Sequence, residues 1–233
     1  MRTDLMLAAL LLVAAVPAHA QDRVRGNVTL AGKVIALPPG EWRVLHQGAE
    51  QTRTSDATQT TTMHRILLVQ EHGGRAAAVI VAAAAIEVNT VWNPHGICTN
   101  AGAIQRDVAQ ALRGSLDCRG LVVIGAGRGA TTPAYLNALY DEGQARPGWL
   151  PPRWISAQHV QSQQMHYLSV EYRFAPATFA PATANAANWN EGARSPAQQE
   201  FVQRLTAFSE RARAELQRGL YGRAPSAPLP WPF

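Results

Sequence analysis

The chain has 233 residues, 47% of them hydrophobic, with 21 basic against 16 acidic side chains and a formal net charge of +5. A chain of that size suits one domain and buries a core without help from a metal. Every basic residue but Lys33 is arginine, which beside the abundant alanine reads as GC-rich codon usage rather than as a binding code, so the charge alone selects no partner.

The first twenty residues read as a secretory signal. Arg2 is followed by an apolar run over residues 5–16, then Pro17, then Ala18-His19-Ala20 as the cleavage positions, which is the order of a signal peptide. That run is shorter than the roughly 20 residues needed to cross a bilayer, so no membrane span is expected. No twin arginine precedes it and no cysteine follows it, arguing for export unfolded and against a lipid anchor. The expected location is the periplasm or the medium. There a basic surface meets membrane headgroups, lipopolysaccharide and anionic glycans, and nucleic acid is not an expected partner.

In chain order, residues 24–30 and 33–37 read as short strands around Ala31-Gly32, and Pro38-Pro39-Gly40 turns the chain into a strand over 42–47. Residues 48–61 are polar and read as a solvated loop before a strand over 63–70. The turn at 72–75 leads into an apolar run over 76–88, whose β-branched centre favours a buried strand. Residues 103–113, with Ile104, Val108 and Leu112 four apart, read as a helix ended by Gly114. A short strand over 121–124 and a helix over 131–142 follow, then a proline-broken connection over 147–153. Residues 166–174 alternate strictly, as in a half-exposed antiparallel strand, and 175–194 read as surface coil. The closing helix is the clearest element. Ser195 is its N-cap, Pro196 opens it, and Gln198 completes a capping box. Phe201, Val202, Leu205, Phe208, Ala212, Leu216 and Leu220 form its apolar stripe, opposite Arg204, Arg211, Glu215 and Arg218. The domain plan is a signal over 1–20, one α+β domain over 21–223 and a proline-rich extended tail over 224–233. Its fold class is α+β: a mainly antiparallel sheet of about five to seven strands with the C-terminal amphipathic helix packed on one face.

Cys98 and Cys118 are the only cysteines, and in an oxidising compartment they pair as a disulfide. The alternative groups them with His95 as metal ligands, but structural zinc wants four ligands, so neither metal nor cofactor is expected. Residues 125–130 fit G-x-G-x-x-A after an apolar strand. They lack the surrounding βαβ unit and the downstream acid of a dinucleotide site, and read as a glycine-rich connection. No nucleophile elbow, S-x-x-K, H-E-x-x-H or P-loop is present, and no catalytic residue is assigned. The pairs Met63-His64 and Met165-His166 offer soft copper ligands, but each reads as an inward Met beside a solvent-facing His.

The signal, the LPPGEW turn at 37–42, Asp117-Cys118-Arg119-Gly120 and the capped closing helix together resemble a family of exported proteobacterial proteins that brings no activity with it. The LPPGEW turn into a β-meander resembles the sandwich of the Mog1/PsbP-like fold, an architectural likeness. The function expected is non-enzymatic binding of an envelope protein or an anionic envelope component, with Trp149, Trp154, Trp189, Arg204 and Arg211 as the contact surface. The alternatives are a hydrolase using His95, Asp117 or His166, and an envelope metal-handling protein.

Overall fold

The computed structural model describes residues 22–53, 60–85, 92–184, 186 and 188–233. The signal segment 1–20, the centre of the expected polar loop and the end of the 76–88 run lie outside the described residues. Eight strands form one antiparallel sheet in the order β1 (Arg23–Val24), β4 (Trp42–Arg53), β5 (Thr60–His72), β6 (Arg75–Ala85), β10 (His166–Phe174), β9 (Arg153–Gln163), β8 (Ser115–Gly125) and β7 (Gln105–Leu112). A separate hairpin joins β2 (Asn27–Leu30) to β3 (Lys33–Ala36). The helices are α1 (Asn137–Ala145), the single turn α2 (Pro176–Phe179) and the long α3 (Pro196–Gly219). The fold is therefore α+β with a mainly antiparallel sheet, as its sequence implies.

Helix α3 forms where its caps dictate. Ser195 Oγ accepts from the Gln198 amide while the Gln198 side chain returns to the Ser195 amide, so two otherwise orphaned donors are satisfied. Its stripe of Phe201, Leu205, Phe208, Ala212 and Leu216 is buried against Ile66, Leu68, Ile80, Val170, Tyr172 and Phe174. Glu215 departs from the expected polar face. It is buried and accepts from the amide and hydroxyl of Ser226, which fastens the C-terminal tail. That tail has no helix or strand, yet Leu229 is buried and Phe233 stacks on Phe201 at 4.4 Å between ring centroids.

The other sheet face carries two smaller covers. Leu139 of α1, with Leu136 and Trp149, packs on Leu67, Val79 and Trp154. Trp92 and Ile97 pack on Val160 and Tyr167, in a segment joined to β8 by the Cys98–Cys118 disulfide, whose Cα atoms lie 5.2 Å apart. These covers correct the half-exposed reading of β10. Its polar face is in place, but Tyr167 and Arg173 are buried. Arg173 forks onto Glu171 Oε2 at 2.9 and 2.6 Å, the pairing a buried cation requires.

Three further elements differ from expectation. The supposed helix over 103–113 is strand β7: a spacing of four is open to an unbroken strand as well as to a helix, and here a bulge between Val108 and Gln110 shifts the register between Val108 and Leu112. Here Val108 and Leu112 stay 39% and 64% exposed, so no buried stripe holds a helix. Much of the supposed loop over 48–61 is a ribbon of β4 and β5, tied by Gln51 to Thr62 at 3.0 Å and by Arg65 to Glu50. The unexpected strand β9 lies between β10 and β8, where neighbours on both sides satisfy its polar backbone.

Candidate functional site

Burial overturns the aromatic half of the expected contact surface. Trp149, Trp154 and Trp189 are 2%, 1% and 2% exposed. Each indole fills a core or a seam beneath a loop, where a ring of that size gains most from leaving water. Arg204 and Arg211 do lie on the exposed side of α3, and Arg204 is neutralised by Glu200 one turn away at 2.5 Å.

His95, Asp117 and His166 do not meet as a catalytic group. His95 Nε2 lies 2.9 Å from the Tyr167 hydroxyl on the face opposite α3. Asp117 is held by Arg213, and His166 Nδ1 lies 2.6 Å from Lys33 Nζ. Met165-His166 reverses its expected orientation, with Met165 44% exposed and His166 turned toward Lys33. The glycine run at 125–130 leaves an antiparallel strand and does not open directly into a helix, so it lacks the dinucleotide geometry. Among the described residues no group of three or more His, Cys, Asp and Glu side chains is placed to hold a metal. No described helix is long and apolar enough to cross a membrane.

What the fold does assemble lies at one end of the sheet. Cross-strand register aligns Leu112, Ser115, Gln163 and His166 in one row. Two positions inward, past a row that faces the other way, stand Gln110, Asp117, Gln161 and Leu168. Alternation along each strand directs both rows to the face that carries α3. Gln110, Ser115, Asp117, Gln161 and Gln163 of these rows, with Gln217 near the end of α3 and Leu220 and Tyr221 just after it, line a groove of about 270 Å³.

Its polar groups are tightly organised. Arg213 Nε donates to Asp117 Oδ1 at 2.9 Å and Gln217 Nε2 donates to Asp117 Oδ2 at 2.9 Å. The carboxylate raises the Arg213 pKa above its ordinary value, chiefly through this hydrogen bond and against the opposing effect of desolvation. The Tyr221 hydroxyl donates to Gln163 Oε1, and its ring sits edge-on to His166 at 5.1 Å. Gln161, 3% exposed, donates to the Arg213 carbonyl at 3.3 Å. Its Oε1 is buried with no hydrogen-bond partner, which is costly unless a ligand or water meets it. Of the exposed large apolar side chains among the described residues, Leu112, Met165 and Tyr221 all stand at this end of the sheet.

A cavity of about 350 Å³ beside Glu71, Phe179 and Trp231 also has a buried amide oxygen without a partner, on Gln70, but among the described residues no large exposed apolar side chain lines it. Another, of about 580 Å³ between α3 and β7, includes Arg194 and Thr206. There Arg194 is spent on the carbonyls of Trp189 and Ile104, and Thr206 on Gln105 and Val202. His159 is buried with Ser209 Oγ 3.4 Å from its Nε2. Desolvation first, then Arg119 and Arg213, pushes its pKa down to about 3, so it is a neutral core imidazole.

Sequence reasoning singled out Asp117 and His166 in this region and missed the glutamines. The signal that could have found them is the alternation Gln161-Ser162-Gln163 beside Gln110 and Gln217, legible only once β9 is recognised as a strand. Comparison with protein-family models, with curated proteins and with solved structures gives no match.

Proposed function

We propose that this chain is an exported, non-enzymatic binding protein of the cell envelope that holds its ligand in the groove at the sheet end. The observation that carries the reading is the meeting there of Gln161, whose buried amide oxygen has no partner, with the exposed Tyr221 ring. A concave site with a few oriented polar groups and an apolar rim is the ordinary form of a ligand site. The envelope location draws support from the signal-like N-terminal sequence, from the likeness to exported proteobacterial proteins and from the disulfide between the only two cysteines.

Site-specific photo-crosslinking in living cells tests this reading. A crosslinker replacing exposed Gln163 is expected to capture an envelope component, detected as a mass-shifted adduct, while one replacing Arg211 on the outer face of α3 captures none. Adducts at Arg211 alone, or at neither position, would overturn the groove as the site.

A further inference from the structure

We infer that the groove receives a neutral sugar ring of an envelope glycan, an inference resting on the groove being the ligand site. The first argument is charge. Among the described residues Asp117 is the one carboxylate lining the groove, and Arg213 and Gln217 already occupy both of its oxygens. A charged ligand would shed its hydration there with no free counter-charge to replace it.

The second argument is the kind of hydrogen bond on offer. Gln110, Gln161, Gln163 and Gln217 each carry an amide with donors and an acceptor, and Ser115 adds a hydroxyl that is both. A sugar hydroxyl is likewise donor and acceptor, and a ring displays several around its edge at the spacing of such side chains. An acyl chain offers none, and a peptide strand offers its backbone groups on alternate sides only. The buried Gln161 Oε1 has no partner of its own, so a ligand hydroxyl that reached it would supply a hydrogen bond the fold lacks.

The third argument is shape. About 270 Å³ holds roughly nine waters at ~30 Å³ each, the room of one ring with its hydroxyls. The Tyr221 ring, 45% exposed and steered by Gln163 and His166, supplies an amphipathic surface for the C–H face of that ring. Beyond it, Leu112 at 64% exposure leaves the outer rim open for the next residues of a glycan chain.

The test is calorimetric titration of the purified protein with four probes: a β-linked N-acetylglucosamine trisaccharide, a cello-trisaccharide, trialanine and a sulfated polysaccharide. At least one neutral trisaccharide is expected to bind, with affinity falling about tenfold in Y221A and again in Q163A. Both substituted side chains are exposed, so the fold is retained. Saccharide binding indifferent to both variants would overturn the inference. Binding of trialanine or the sulfated polysaccharide that depends on Tyr221, with no saccharide bound, would overturn the sugar while leaving the groove as the ligand site. Failure of all four probes would also overturn the sugar, and the crosslink at Gln163 then decides the groove by itself.

Discussion

Gly219→Ala sets helix propensity against tertiary packing at the element that forms the wall of the groove. On propensity alone, alanine in the last turn of α3 stabilises the helix by about 1 kcal/mol. In the fold, a Cβ at this position lies 1.8 Å from the Val34 carbonyl oxygen and 2.9 Å from its carbon. The obstacle is backbone of β3, with no rotamer to swing aside, so the helix end and the hairpin must part by more than 1 Å. Overpacking of this kind costs about 1–3 kcal/mol, and the upper half applies where backbone has to move. The net loss is about 1–2 kcal/mol, or roughly 2–8 °C in Tm for a chain of this size. Thermal unfolding followed by circular dichroism reads it directly. Gly143→Ala in α1 is the control, because its Cβ meets only the side chain of Leu150 and the shift should be smaller. A Tm for Gly219→Ala equal to or above that of the unmodified protein would refute the close approach.

Ser195→Ala removes the capping box of α3 and should lower stability by about 1 kcal/mol in urea unfolding, with the m-value unchanged. Reducing the Cys98–Cys118 disulfide, which closes a separation of 20 residues, should cost about 3 kcal/mol, read as a lower urea midpoint in reductant. Glu71 is held down to about 2, chiefly by its hydrogen bond to Arg146 with Arg43 adding to it. Its contribution is therefore full above its ordinary pKa of 4.5 and lost as pH falls toward 2; Glu71→Gln should flatten the stability profile across that window. His159 acts over a higher range. In the unfolded chain it takes up a proton near 6.5, but in the fold only near 3, so stability falls as pH drops between those values. Replacement by Phe should remove that slope in acid-unfolding curves.

The elements that were legible in the sequence are those whose local chemistry has one solution. The Ser195-Pro196-Gln198 cap permits little but a helix start, and the alternation over 166–174 places Leu168, Val170, Tyr172 and Phe174 on one side whatever the partner strand. Reading failed where period is ambiguous or where neighbours supply the stability. Val108 and Leu112 satisfy both helix and strand spacing, and only pairing with β8 decides between them. The polar run in β9 has no apolar alternation to announce it, and is a strand because β8 and β10 saturate its backbone on both sides. Aromatic rings near proline, such as Trp149 and Trp154, look like surface anchors until α1 is seen folded over them. The groove was hidden for the same reason: its glutamines come from three separate elements, β7, β9 and α3, that only the cross-strand register and the packing of α3 bring together.

The most direct test of the groove as a sugar site is a nitrogen-15 correlation spectrum that follows side-chain amides as the neutral trisaccharides are titrated into the protein. The account predicts that shifts concentrate on the side-chain amides of Gln110, Gln161, Gln163 and Gln217 and on the backbone around Tyr221, with the outer face of α3 at Arg204 and Arg211 unmoved. Shifts that gather on that outer face, or a spectrum that no saccharide perturbs, would contradict it.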